Sequence, residues 1–274
     1  MMRSLWTAAS GMRAQQVNVD TIANNVANIN TIGYKSQQAS FKSLLYQNLQ
    51  STSTNNAGEN KPVAAEVGLG SRVAAITSTF TQGNLTHVEN PFSVALEGDG
   101  FFQIRTESGE LQYTRDGSFE ISPVANGNML CTSDGNPVLD AYGNQIILPS
   151  NRVATDLVVN QDGTLAFPDG TGNPAVITDA NGRPVKFGIY QFNNPAGLSK
   201  EGSNNYSVTV ASGAAVAENG NAAVKQTKTH QYYTEASNVD VANEMVNLIV
   251  AQRAYEMNSK AIQASDEMMQ QANA

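Results

Sequence analysis

The chain has 274 residues, of which 41% are hydrophobic and only 15% charged, and its net charge is −8. An acidic chain without a basic run excludes a nucleic-acid ligand, because phosphate binding needs clustered Lys and Arg. The single cysteine, Cys131, excludes an internal disulfide, and the low charge points to a surface covered by partners rather than by water.

From Leu5 to Ile29, apolar residues fall at Leu5, Ala8, Met12, Val19, Ile22, Val26 and Ile29, with Gln15 in the one missing place. Alternating steps of three and four are the seam of a helix packed along another helix. The other face carries amides, among them Asn24, Asn25 and Asn28. A solvated face would be richer in Lys and Glu, so amides here point to contact with other chains. Gly33 is placed to stop this helix in a left-handed conformation.

Residues 36–91 read as a connecting segment, partly extended. Tyr34 to Leu49 fits a short helix or an extended arm, Gln50 to Pro62 is a polar loop, and Arg72 to Phe80 alternates like a strand. Residues 92–224 are β-rich. Asp99-Gly100, Asp116-Gly117, Asn126-Gly127, Asp134-Gly135, Asp162-Gly163, Asp169-Gly170 and Asn181-Gly182 punctuate short apolar runs, which is the strongest local signal for hairpins. Within this region Cys131 reads as a small buried strand residue, and Ala211 to Ala223 as an exposed loop. Residues 225–236 return the chain to a final helix over 237–274. Ser237 is placed as its N-cap, with Asp240 completing a capping box. A second stripe runs through Val241, Met245, Leu248, Tyr255, Ile262 and Met269, broken at Gln252, Ser259 and Asp266. The fold class is α+β: paired N- and C-terminal helices form a coiled-coil-like stem, and the all-β middle domain is rich in hairpins.

Little in the sequence carries chemistry. His87 and His230 have no second ligand at metal spacing. Asp134, Asn136 and Asp140 fall short of a calcium loop. No phosphate loop or nucleophile elbow is present. No stretch is long and apolar enough to span a membrane, and Thr7, Ser10 and Arg13 interrupt any secretory core. No catalytic residue, cofactor or metal ligand is therefore expected.

Three runs resemble the signatures of bacterial flagellar rod and hook proteins. One is Ser4-Leu5-Trp6-Thr7-Ala8-Ala9-Ser10-Gly11-Met12 with Ile22 to Lys35. A second is Gly98-Asp99-Gly100-Phe101-Phe102 with Tyr113 to Phe119. The third is Glu235 to Asp240 with Glu244 to Ile249 and Gln252 to Glu256. Phe192 to Leu198 adds a fourth match. The segment from Leu44-Leu45-Tyr46 through Gly68-Leu69-Gly70-Ser71-Arg72 to Leu85, together with the total length, resembles the distal-rod branch more than the longer hook subunit. A proximal rod protein or rod-like paralogue is the alternative, and an adhesion module trimerised by its helices is a more distant one. The family usually has Gly, an aromatic and Leu before Glu-x-Ser-Asn, whereas here Tyr232 and Thr234 replace the Gly and the Leu.

The resemblance implies a non-enzymatic subunit that polymerises helically into a hollow, rigid drive shaft. It implies self-association, proximal rod and hook subunits at the ends, surrounding ring or bushing proteins, and the flagellar export apparatus in place of a cleaved signal. The expected site is outside the cytoplasmic membrane. On this reading Leu5, Met12, Val19, Ile22, Val26 and Ile29 pack against Val241, Met245, Leu248, Tyr255 and Ile262. Asn24, Asn25, Asn28, Gln252 and Arg253 would meet neighbouring subunits. Leu44, Leu45, Tyr46, Gly68, Gly70 and Arg72 would belong to a segment that braces them.

Overall fold

The computed structural model describes residues 2–50, 65–125, 127–150, 152–168, 174–179, 182–221 and 224–273. It is an α+β protein of two compact units. Unit 1 takes its described residues from 1–27, 37–78 and 240–274, and unit 2 from 28–36 and 79–239. The chain is thus divided otherwise than in the five sequence segments, with 36–91 shared between both units.

Unit 1 contains helix α1 (Met2–Ala27) and helix α2 (Val241–Asn273). They run antiparallel, with Ser4 beside Ser265 and Asn25 beside Glu244. Residues 34–50 are extended rather than helical: β1 (Gln37–Ser43) pairs with β4 (Ser71–Ser78), and β2 (Tyr46–Gln50) with β3 (Ala65–Gly68). The predicted loop beyond Gln50 lies outside the described residues. Helix α1 packs on β1 and β4. Gly70, with φ +111°, turns the chain under α1, where any Cβ would fall on Ser10 Oγ. The Ser71 amide donates to that oxygen at 3.3 Å. A side chain at position 70 is excluded both by φ and by space.

Both helix boundaries move from their expected places. Helix α1 ends at Ala27, and Gly33 serves a later turn in which its amide donates to the Glu235 carbonyl at 2.8 Å. The N-cap of α2 is Asp240, not Ser237. Its Oδ1 accepts from the Ala242 and Asn243 amides at 3.0 and 3.4 Å, while Ser237 Oγ accepts from Val239 at 3.3 Å.

Unit 2 is built of strands. In chain order they are β5 (Leu85–His87), β6 (Val94–Glu97), β7 (Phe101–Arg105), β8 (Leu111–Thr114), β9 (Glu120–Val124), β10 (Gly127–Cys131), β11 (Ile147–Leu148), β12 (Val158–Val159), β13 (Leu165–Pro168), β14 (Pro174–Val176), β15 (Ile189–Gln191), β16 (Ser199–Gly202), β17 (Asn205–Ser207), β18 (Val216–Ala217), β19 (Lys228–Gln231) and β20 (Tyr233–Glu235). The largest sheet has the order β16-β17-β8-β7-β15-β18. The remaining strands form the sheets β11-β10-β9 and β12-β13-β14 and the pairs β19-β6 and β20-β5.

The Phe101-Phe102-Gln103-Ile104 run explains why this large sheet is covered on both faces. Alternate side chains of a strand point to opposite sides. Phe102 and Ile104 enter one apolar cluster with Phe119, Leu130 and Leu165, and Phe101 enters the other with Tyr113, Phe192 and Tyr206. Burying one such phenyl ring contributes about 2–3 kcal/mol. Cys131 is buried in β10, as expected. The turns at Asp134-Gly135, Asp162-Gly163 and Asn181-Gly182 have left-handed glycines, whereas Asp169-Gly170 lies outside the described residues. The expected loop over 211–223 contains β18 and the buried Ser212 and Glu218, so it is partly structured.

The two departures near the last helix have physical explanations. Thr234 is buried, and its hydroxyl lies 3.2 Å from that of Thr86 on β5, so the polar replacement for Leu is satisfied. Tyr232 stands where the family has glycine, and its φ is +64°. Left-handed backbone costs a residue with a Cβ about 1–2 kcal/mol. Tyr232→Gly is therefore expected to be about 1 kcal/mol more stable than Tyr232→Ala, against the usual order in extended chain. Thermal unfolding of the two variants measures this, and equal midpoints would remove the strain.

Candidate assembly surfaces and the buried clamp

In unit 1 the heptad seam exists, but it is rotated by one residue from the apolar reading. Ser4 Oγ lies 3.2 Å from Ser265 Oγ. A Cβ on Gly11 would stand 3.0 Å from Asn258 Nδ2. Asn25 Nδ2 donates to Glu244 Oε1 at 2.9 Å. Ala8, Ile22, Asn25, Ala251 and Ser265 are buried along this line. Of the expected set, Ile22 is fully buried, while Leu5, Met12, Val19, Val26, Leu248 and Ile262 flank the seam half-buried. Ile29 lies beyond the helix in unit 2. Val241, Met245 and Tyr255 are corrections, since each is exposed. The seam takes Glu244, Ala251, Asn258 and Ser265, a line that hydrophobicity alone cannot see.

The large apolar side chains left out of the seam face outward. Met245, Val246, Ile249, Val250, Met257 and Met268 on α2 are exposed, and Trp6 on α1 is 73% exposed. At ~3.6 residues per turn, the first four form one apolar stripe about 140° wide along α2. An apolar stripe of that width on a helix is ordinarily packed against a partner. Val19 and Tyr255 line a groove of about 420 Å³ with Gln16, Gln252 and Glu256. A second groove of about 410 Å³ is lined by Trp6, Arg13, Val17, Leu44, Leu69 and Arg72, among others.

Asn25 is also a correction. It is 1% exposed and turned inward. Its amide donates to the Gln37 carbonyl and accepts from the Gln37 amide, each at 2.8 Å. It thereby joins α1, the start of β1 and the first turn of α2. Asn24 and Gln252 are exposed, and Arg253 is exposed while paired with Glu256 at 3.1 Å. Asn28 is half-buried, and its side chain accepts from Thr31. The β2–β3 ribbon carries Leu45, 82% exposed, with Tyr46 and Leu49 also exposed. Tyr46 lies across from Gly68 and covers it, and Arg72 is exposed beyond. A lone two-stranded ribbon is marginal in water.

Unit 2 holds a charge cluster that periodicity could not reveal. Lys35, Arg115 and Glu235 have side chains only 1% exposed. Glu235 Oε1 accepts from Lys35 Nζ at 2.6 Å and from the Gly83 amide at 2.8 Å, and Oε2 lies 3.3 Å from Arg115. Lys35 also donates to the Thr81 carbonyl at 2.8 Å, and Arg115 to the Gly98 carbonyl at 2.5 Å. The guanidinium lies 5.1 Å from the Phe101 ring centroid. Burial pushes the Lys35 ammonium below its ordinary range, against the pull of Glu235. Burial also holds the nearby Tyr206 phenol up at about 12. The signal was available: three charges, each inside a motif run, in a chain poor in charge.

A dent of about 280 Å³ in unit 2 is lined by Asp162, Lys186, Glu218 and Lys228, among others. Its carboxylates are engaged. Asp162 pairs with Lys186 at 3.2 Å, and Glu218 accepts from Thr227 and Gln191 at 2.6–2.7 Å. Among the described residues no group of three or more His, Cys, Asp or Glu is placed to hold a metal, and no helix is long and apolar enough to cross a membrane.

The profile described as "Flagella basal body rod protein" matches residues 5–35, "Flagellar hook protein FlgE/F/G D1 domain" matches 95–167, and "Flagellar basal body rod FlgEFG protein C-terminal" matches 230–274. The "Flagellar basal-body rod protein FlgG" of Borreliella burgdorferi is 43% identical over 100% of this chain and 98% of its own length. The chain belongs to the flagellar basal-body rod protein family. The protein of the same name from Agrobacterium fabrum is 41% identical over 97% of each chain. The "Flagellar hook-basal body complex protein FlhP" of Bacillus subtilis is 33% identical over 98% of this chain and 97% of its own. Each of the three matched segments contributes one member of the charge cluster: Lys35, Arg115 and Glu235.

Removing the shared carboxylate should be severe. Glu235→Ala leaves two buried cations unpaired and is expected to cost about 3–5 kcal/mol, whereas Asp162→Ala at the exposed Lys186 pair should cost less than about 1 kcal/mol. Chemical denaturation of both variants tests the contrast. Asn25→Ala removes the partner of Gln37 and Glu244 at once, and a loss of about 2 kcal/mol is expected. A variant as stable as the parent would show that water replaces the amide.

Proposed function

We propose that the chain is a structural, non-catalytic subunit of the distal flagellar basal-body rod, polymerising helically through its terminal helices into a hollow shaft that transmits torque. Similarity to rod proteins over the full length supports this subunit class. The observation that carries the assembly reading is the inverted arrangement of unit 1, with a small and polar inner seam and large apolar side chains outside. In a lone subunit such a surface is a liability, and in a polymer it becomes the interior. A heterologous contact that does not close generates an open helical filament.

In this reading Met245, Val246, Ile249 and Val250 are covered by neighbouring copies, and Asn24, Gln252 and Arg253 bond across that contact. The ribbon bearing Leu45 and Tyr46 braces an adjacent copy. Proximal rod and hook subunits adjoin the two ends, ring or bushing proteins surround the shaft, and the flagellar export apparatus delivers the chain beyond the cytoplasmic membrane. A rod-like paralogue is the alternative, favoured by the match to the Bacillus subtilis hook-basal body complex protein.

Sedimentation of the full chain across a concentration series, with electron microscopy of the large species, tests assembly. The double variant Ile249→Glu, Val250→Glu should keep its circular dichroism and lose the large species. Ile22→Asp, which puts a charge into the seam, should lose both helix content and assembly. Undiminished polymers from the double variant would sink the outward-face assignment. Deleting residues 51–62 should leave polymers that form but bend more readily, and unchanged stiffness would remove the bracing role.

A further inference from the structure

We propose that Ser4–Ser265, Gly11–Asn258, Asn18–Ala251 and Asn25–Glu244 form a register code that fixes how the two terminal helices align within one subunit. Three of these pairs are in contact. They are spaced one or two heptads apart, and the two residue numbers of each pair have the same total. One straight antiparallel register therefore accounts for all three, and the same register sets the half-buried Asn18 opposite Ala251, which is 1% exposed.

A code is needed because the apolar positions cannot supply one. Along α2, Leu248, Tyr255, Ile262 and Met269 recur every heptad. Sliding one helix past the other by seven residues, roughly 10 Å at the ~1.5 Å rise of a helix, exchanges each apolar neighbour for a similar one. The polar line breaks that degeneracy. A slip of one heptad towards the C-terminus of α2 sets Asn25 against Ala251 and strips Glu244 of its donor. A slip the other way sets Gly11 against Ala251 and drives Asn18 against Glu244. Only the observed register gives Asn258 the space left by Gly11 and gives Glu244 the Asn25 amide. One polar residue at a coiled-coil core position is known to specify register at some cost in stability, and here the device is repeated along the seam. It operates within a single chain and stands whether or not the outward apolar faces serve assembly.

The test is cross-linking in the full chain. Ser4→Cys with Ser265→Cys reports the observed register, and Ser4→Cys with Ala272→Cys reports the slip that strips Glu244 of its donor. Each pair is oxidised, and the intramolecular product is resolved on gels. In the native background the first pair should form at least tenfold faster. Glu244→Leu should let the slipped pair gain at least severalfold on the first. Glu244→Gln keeps an acceptor for Asn25 and should restore the native ratio, which a general loosening would not do. Equal rates in the native background, no product from the first pair, a mainly intermolecular product, or a ratio unmoved by Glu244→Leu would each overturn the proposal. None of these outcomes bears on the sedimentation test of assembly, so the two readings fail separately.

Discussion

One carboxylate ties three distant segments of unit 2 to β20. Glu235 sits out of water between Lys35 and Arg115 and accepts the Gly83 amide as well. A buried ion set of this kind adds little net stability over a well-packed apolar replacement, because desolvation offsets most of the attraction. Its effect is directional. The carboxylate has two oxygens with fixed lone pairs, and each donor must arrive from one side. The segments that carry Lys35, Gly83 and Arg115 are therefore tied to β20 at one point. The chain passes into unit 1 at Gln37, just after Lys35, and at Asp240, just after Glu235. The positive excess of the cluster is absorbed by the Thr81 and Gly98 carbonyls and the face of Phe101.

Unit 1 reverses the usual distribution of residue types. Its inner line is Ser4, Gly11, Asn18 and Asn25 against Glu244, Ala251, Asn258 and Ser265. Small residues let the helices approach closely, and the Asn25 amide finds Glu244 across the seam. Bulk is kept for the outside. Such a pair gains little from its own packing, since most helix stability comes from burying a face. The stability of the two helices is thus tied to whatever covers Met245, Val246, Ile249 and Val250. In the proposed polymer that cover is another copy of the same chain.

The existence of both helices, their heptad period and the hairpin-rich middle were legible because these rest on periodicity and on turn residues with a backbone role. The face of the seam was not. Hydrophobicity weights Met245 and Val241 above Ala251 and Ser265, yet the smaller residues are the buried ones. Pattern reading assumes that the largest apolar side chains lie inside the chain being read, and the outward Met245 and Val241 break that assumption. Asn25 was read as a surface amide, when its side chain bonds inward to Gln37 and Glu244. The end of α1 was misplaced because Gly33 is left-handed as expected but serves a turn six residues further on. The cluster at Glu235 needs three segments far apart in sequence, which no local window can join.

The outward apolar face of α2 also decides how the subunit answers to temperature. Contacts made by Met245, Val246, Ile249 and Val250 draw on the release of ordered water, a driving force that is almost wholly entropic near ambient conditions and fades on cooling. In the proposed polymer, chilling thus loosens the joints between copies, and the assembled form becomes cold-sensitive.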